Sequence, residues 1–263
     1  MRLYVRPNKR LSQNFLIDLN IAKKIVKSMD IQPMDHILEI GPGKGILTKY
    51  LIESLASTVT AVEKDKRLIP FLQKQFNNDD RFHLIHQDFL KIKIQSLRKQ
   101  ETKFRCISNL PYRVTSPILF YLLDNREYIS DMTVMVQKEV GERLSADTGS
   151  RAYGIPSVLF QAVSDIKMLF TVSRNAFRPV PEVTSAVLRI KFLEGAAPPI
   201  SNWSHFQSMV KVAFNQRRKM LRKTLRQKIG RHEYPIELTR RPQQLSVSEW
   251  IELANFFTKQ NPS

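Results

Sequence analysis

His36 to Ala56 reads HILEIGPGKGILTKYLIESLA. A strand-length apolar run, HILEI, passes straight into Gly41-Pro42-Gly43-Lys44-Gly45, and beyond the last glycine the apolar residues fall at three- and four-residue spacing. Apolar residues in a short run, then glycines, then helical periodicity predict a strand, a tight turn and a helix. The pattern repeats downstream: VTAVE (59–63), FHLIH (82–86), FRCIS (104–108) and MTVMVQ (132–137) read as strands. KRLIPFLQKQF and PILFYLLD between them read as helices. Strand and helix in alternation predict an α/β fold, a parallel sheet with helices on both faces. IKMLFTV (166–172) and SAVLRIKFL (185–193) read as two later strands at an edge, where antiparallel pairing is common.

EGAAPPIS (194–201) has no periodicity and is the best linker, so a first domain over 1–195 and a second over 196–263 are expected. Everything beyond the linker reads as helical: WSHFQSMVKVAF, RRKMLRKTLRQKI and a last helix opened by the capping box Ser246-Val247-Ser248-Glu249.

Glycines between a strand and a helix let the backbone approach a ligand closely, with helix amides facing it. The spacing is G-x-G-x-G, which lacks the third glycine of a dinucleotide fingerprint, and GPGKG lacks the Lys-Ser/Thr ending that cradles phosphates. Glu63 closes the second strand, where a carboxylate can accept from both hydroxyls of a ribose. Asp88 follows the third strand and can accept from an adenine amino group, or serve only to cap the turn after it. Together with Gly41 and Gly43 they describe a cradle for an adenosine ligand without phosphates, of which S-adenosylmethionine is the fitting example. Asn109-Leu110-Pro111-Tyr112 ends the fourth strand, beyond which ligands of such sheets bind. The Asn109 amide oxygen and the Leu110 carbonyl can accept the two N–H bonds of an adenine amine, Pro111 stiffens the turn, and Tyr112 can stack on the base. No metal and no strong general base is required.

The formal net charge of +18 points to a polyanionic partner, nucleic acid before membrane. From Lys211 to Arg231 there are nine cations and no acid, among them Arg217, Arg218, Lys219, Arg222 and Lys223. Met220, Leu221, Leu225 and Ile229 recur at helical spacing, so a helix with one packed and one basic face is expected, its cations binding phosphates. Arg2, Arg6, Lys9 and Arg10 form a second basic group. The lone Cys106 excludes a disulfide within the chain and reads as a small buried hydrophobe. No run approaches the ~18 apolar residues of a membrane span, and the basic N-terminus lacks a signal-peptide core, so a cytoplasmic protein is expected.

QNFLID (13–18), EIGPGKGILT (39–48), SNLPY (108–112), QKEVGERL (137–144), FRPVPEVTSAV (177–187) and FNQRRKMLRKTL (214–225) occur in order. In these six motifs the chain resembles the KsgA/RsmA family of ribosomal RNA adenine dimethyltransferases, over most of its length. The resemblance implies a Rossmann-like class I methyltransferase sheet with a smaller helical C-terminal domain. It implies S-adenosylmethionine-dependent dimethylation of N6 on two adjacent adenosines in the 3′-terminal hairpin loop of 16S small-subunit rRNA, in a precursor 30S particle, by a monomer. Asn14, Leu16, Gly41, Glu63, Asp88 and Asn109 match the family's cofactor positions, and Asn109, Leu110 and Tyr112 its target-adenine pocket. Phe177 matches an aromatic that closes over the flipped base. The family's Asn-Ile-Ser/Thr after the tyrosine is Arg113-Val114-Thr115 here. Three alternatives stand beside this reading. One is an erythromycin-resistance-type enzyme of large-subunit 23S rRNA, whose members usually carry Asn-Ile-Pro-Tyr. The others are an assembly factor with secondary methyl transfer, and an NAD-linked dehydrogenase, for which no hydride-transfer residues are found.

Overall fold

The computed structural model describes residues 13–97, 102–194, 199–226 and 233–260. The basic group Arg2, Arg6, Lys9 and Arg10 lies outside the described residues, as do residues 195–198 of the linker and Lys228, Ile229 and Arg231.

Nine strands are found among the described residues: β1 (Phe15–Leu16), β2 (His36–Ile40), β3 (Thr58–Glu63), β4 (Phe82–His86), β5 (Phe104–Asn109), β6 (Ile129–Gln137), β7 (Ser164–Val172), β8 (Phe177–Arg178) and β9 (Ser185–Phe192). Seven form one sheet in the order β4-β3-β2-β5-β6-β9-β7. Strands β2 to β6 pair in parallel and β9 pairs antiparallel with β6, as the sequence pattern led us to expect. β1 and β8, neither expected, form a separate two-stranded ladder with Leu16 opposite Phe177.

The central strands are buried along nearly their whole length, because helices cover both faces of the sheet. On one face Ile37, Val59, Ala61 and Ile107 pack with α1 (Leu19–Lys27), α2 (Ile46–Ile52) and α3 (Ile69–Phe76). In chain order α4 (Ile94–Leu97), α5 (Thr115–Asp124) and α6 (Lys138–Leu144) follow. Chain order reverses between β2 and β5: the path runs outward from β2 to β4 on one side, then returns to build β5 and β6 on the other. A crevice forms at such a reversal, beyond the carboxyl ends of the strands.

The chain divides into two compact units, one of residues 1–141 and 167–192, the other of 142–166 and 193–263. The expected boundary near 195–200 therefore marks only one of three crossings; an insertion between β6 and β7 joins the second unit. That unit contains α7 (Ile155–Gln161), α8 (Trp203–Phe214), α9 (Leu221–Thr224) and α10 (Val247–Gln260) around the buried rings of Tyr153, Phe160, Phe206 and Trp250. The capping box opens α10 as expected: the Ser246 amide donates to Glu249 Oε2 at 2.7 Å and the Glu249 amide to Ser246 Oγ at 3.2 Å.

The long basic helix expected after α8 is not formed over its described part. Residues 215–219 form turns, Met220 is extended, and only Leu221–Thr224 is helical. A continuous helix would stack Arg218 on Arg222, Lys219 on Lys223 and Arg222 on Arg226, each a like-charge pair four residues apart. Instead the amides of Leu221 and Arg222 donate to the carbonyls of Arg240 and Leu238, both at 2.9 Å. Arg218, Lys219, Arg222 and Lys223 are exposed. Arg217 is half-buried, donating from Nε to Gln243 Oε1 at 2.7 Å and from Nη2 to the Ser150 carbonyl at 3.2 Å.

Candidate active site

A cavity of about 320 Å³ opens at the carboxyl ends of β2 to β5, within the range of small-molecule sites. Its walls bring together Asn14, Leu16, Gly41, Gly43, Glu63, Asp88, Asn109, Leu110 and Tyr112. These are all but one of the site residues expected from the sequence.

The glycine loop is shaped by a side chain from the next strand. Gly43 has φ +60° and donates its amide to Glu63 Oε2 at 3.0 Å; a Cβ here would stand 3.3 Å from the Phe15 ring. Gly45, φ +71°, starts α2, and its Cβ would fall 2.5 Å from Phe76. Neither place admits a side chain without displacement. The other oxygen of Glu63 accepts from the Asp65 amide at 2.7 Å, so two main-chain donors orient the buried carboxylate. Burial raises its pKa, and the Asp65 and Gly43 amides oppose that shift. Each oxygen keeps a lone pair for a further donor.

Asp88 fills both roles considered for it. It lines the cavity, and its Oδ1 accepts from the Leu90 amide at 3.2 Å to cap a short turn. Lys64 Nζ lies 2.7 Å from Oδ2 and holds the carboxyl below its ordinary pKa.

Asn109 donates from Nδ2 to the Asn14 carbonyl at 3.3 Å, which fixes the amide orientation and leaves Oδ1 with no hydrogen-bond partner among the described residues. The Leu110 amide donates to the Met135 carbonyl at 3.1 Å, while the Leu110 carbonyl likewise accepts from no described residue. Pro111, with φ −60°, turns the chain into Tyr112, whose hydroxyl lies 2.8 Å from Ser185 Oγ. One amide oxygen and one carbonyl oxygen are therefore available in the cavity wall, beside a ring pinned at its far end. Such a set accepts hydrogen bonds from an exocyclic amine and needs no general base.

Phe177 is the exception. It is fully buried in the core, its backbone paired with Leu16, and it does not line the cavity. The ring that the resemblance assigns to a flipped base acts in this structure as an anchor for the loop that carries it.

Sequence reasoning missed the clamp on the wall formed by residues 13–16. Gln13 Nε2 donates to Asp65 Oδ2 at 2.9 Å, and Arg67 donates to both Asp65 oxygens at 2.8 and 2.5 Å. The Arg67 guanidinium holds the Asp65 carboxyl down to about 2. The position of Asp65, two residues after Glu63, was the one available signal. Also missed was Glu39, fully buried on β2. It accepts from Thr48 Oγ1 at 2.7 Å, its Oε1 has no partner among the described residues, and burial pushes its pKa up to about 8.

The model of the family described as ribosomal RNA adenine dimethylase matches residues 5–259. Ribosomal RNA small subunit methyltransferase A of Chlorobaculum parvum is 42% identical over 251 residues, covering 95% of this chain and 89% of that protein. The protein of the same name from Pseudomonas savastanoi pv. phaseolicola is 39% identical over 253 residues, covering 95% and 94%. Among solved structures, a dimethyladenosine transferase from Plasmodium falciparum superposes with a TM-score of 0.79 at 22% identity, covering 94% of this chain and 98% of that one. The 23S rRNA methyltransferase ErmE gives 0.72 at 24% identity, covering 92% and 98%; at these identities the likeness speaks for the fold alone.

Proposed function

The chain belongs to the ribosomal RNA adenine dimethylase family, and from that premise we propose that it dimethylates N6 of two adjacent adenosines in the 3′-terminal hairpin loop of 16S small-subunit rRNA. It is an S-adenosylmethionine-dependent rRNA methyltransferase. No helix among the described residues is long and apolar enough to cross a membrane. Our reading places the enzyme in the cytoplasm, acting as a monomer on a precursor 30S particle.

One observation carries the proposal. The two open acceptors, Asn109 Oδ1 and the Leu110 carbonyl, belong to the same cavity wall as the anchored carboxylate of Glu63 and the turn-capping Asp88. The cavity fits the cofactor: Gly43 keeps the loop free of a side chain, and no Lys-Ser/Thr pair is present in the loop to hold a pyrophosphate. When bound, S-adenosylmethionine supplies an electrophilic methyl carbon on a sulfonium centre. Glu63 accepts from the ribose hydroxyls and Asp88 from the cofactor's adenine amine, with Asn14, Leu16, Gly41, Gly43 and Asn109 as the remaining walls. Asn109 Oδ1 and the Leu110 carbonyl accept the two N–H bonds of the target adenine, which turns the nitrogen lone pair out of conjugation. Tyr112 stacks on the base. The methylated nitrogen is acidic enough to release its proton to water. Phe177 supports the pocket indirectly, through the pairing of β8 with β1.

Exposed Arg218, Lys219, Arg222 and Lys223 support a phosphate-binding role, with Arg217 contributing less because two of its donors are engaged within the protein. Relatives at about 40% identity bear the small-subunit name, which favours that rRNA over the 23S alternative. Gly41, Glu63, Asp88, Asn109 and Tyr112, all present in the cavity wall, favour active methyl transfer over a purely assembly-directed role.

The test is mass spectrometry of the 3′-terminal rRNA fragment after incubating purified protein with labelled cofactor and unmethylated small subunits. Two dimethyladenosines are expected. Label on the large subunit, or on other positions only, would overturn the reading.

A further inference from the structure

Among the described residues three cations line the cavity: Lys44, Lys64 and Arg113. Lys64 is paired with Asp88 at 2.7 Å, and the Nζ of Lys44 lies 4.8 Å from the centroid of the Phe15 ring, beside the glycine loop. The two acids of the cavity wall, Glu63 and Asp88, have their own partners. Arg113 differs. It is exposed, it follows Tyr112 directly, and its guanidinium makes no ion pair or hydrogen bond with any described residue. It also opens Arg113-Val114-Thr115, the stretch in which the chain departs from the motif it resembles, with a cation in place of a neutral amide.

A bare guanidinium on the rim of a binding cavity fits an oxyanion brought by a ligand. A planar fork of N–H donors matches the two non-bridging oxygens of a phosphodiester, or the two oxygens of a carboxylate. Both exist here, as the RNA backbone and as the amino-acid end of the cofactor. The neighbours decide between them: Arg113 adjoins Tyr112, on the side of the target base, whereas Asn14, Gly41 and Gly43 form the cofactor side.

We propose that Arg113 binds a backbone phosphate next to the target adenosine, and so holds the unstacked nucleotide in register with the pocket of Asn109 and Tyr112. The proposal rests on the dimethylase reading above. It makes Arg113 a positioning residue, acting on the RNA and not on the methyl group. A base out of its stack retains both flanking phosphates, so one fixed phosphate limits the arc through which the base can move.

The experiment compares wild type with R113Q and R113K. It measures filter-retention binding of unmethylated small ribosomal subunits across a salt series, methyl-transfer kinetics on the same subunits, and calorimetric affinity for S-adenosylmethionine. R113Q is expected to weaken subunit binding and raise the subunit KM about tenfold. Its log–log salt slope should be shallower by about 0.7, as for one lost phosphate contact on a single strand. Cofactor affinity should not change, and R113K should recover the slope and part of the KM. An unchanged slope and KM in R113Q would overturn the proposal. So would a loss of cofactor affinity, which would assign Arg113 to the cofactor carboxylate. If wild type binds subunits with the Arg113-dependent slope yet transfers no methyl group to them, the phosphate contact stands and the dimethylase reading fails.

Discussion

The two ends of the central sheet use the same kinds of polar group to opposite purposes. At the amino ends of β2, β5 and β6 every donor of Arg105 is taken. Nε and Nη2 reach the two oxygens of Asp131 at 2.8 Å each, Nη1 reaches Asp35 at 2.6 Å and the Asp30 carbonyl at 3.1 Å, and Nη2 also donates to the Met29 carbonyl. Arg189 adds a further contact to Asp131 at 3.2 Å. At the carboxyl ends the acceptors are oriented and left open: Asn109 is held by its nitrogen so that its oxygen is available, and Leu110 is held by its amide so that its carbonyl is available. Around Arg105 every donor is matched within the protein; around Asn109 and Leu110 the acceptors are left for a ligand. A buried polar group without a partner is costly, so open acceptors persist where a ligand completes them.

That contrast can be broken in three places. Asn109→Ala removes an open acceptor, so single-turnover methyl transfer should fall about 10³-fold or more, while RNA affinity and Tm stay near wild type. Retained activity would show that the amide does not hold the amine. Arg105→Ala should do the reverse. Leaving Asp131 buried and short of its main partner should cost about 3 kcal/mol in denaturant unfolding, with cofactor affinity unchanged in the protein that remains folded. A weakened cofactor affinity at full stability would mean that the two ends are coupled.

Glu39→Gln tests the middle of β2 and has the smallest expected effect. The folded-state pKa of Glu39 is raised from the ordinary 4.5 to about 8. Below pH 4.5 both states hold the proton; between there and pH 8 the unfolded chain releases it first, so rising pH removes stability. Glutamine keeps an acceptor for Thr48 and has no proton to lose. The variant should match wild type near pH 4.5 and exceed it by on the order of 2 kcal/mol at pH 6. A difference in unfolding free energy that does not vary with pH would refute this account.

The legible parts of the molecule were those with local signatures. Strand-length runs, the glycines at 41, 43 and 45, and acids at the ends of strands placed the sheet and most of the cavity before any coordinates. Contacts between distant positions were not legible. Tyr112 and Ser185 are 73 residues apart, Gln13 and Asp65 are 52 apart, and nothing near either member announces the other. Apolar spacing through Met220, Leu221 and Leu225 predicts a basic helix that does not form, because the spacing carries no information about the like charges such a helix would stack. That residues 142–166 join the second unit was not legible either, since strand order along the chain does not reveal which core an insertion packs into.

The ladder between β1 and β8 has only two residues on each side, yet it carries the front wall of the cavity. Detaching so short a ladder, together with the Gln13 clamp, requires far less free energy than disturbing the sheet behind it. Because the Asn14 carbonyl of the same strap holds the Asn109 amide, opening the ladder would release that side chain too, whereas Glu63 would stay oriented by the Gly43 and Asp65 amides. Amide hydrogens of β1 should accordingly exchange with solvent long before those of β5, and a bound cofactor should slow the first without altering the second.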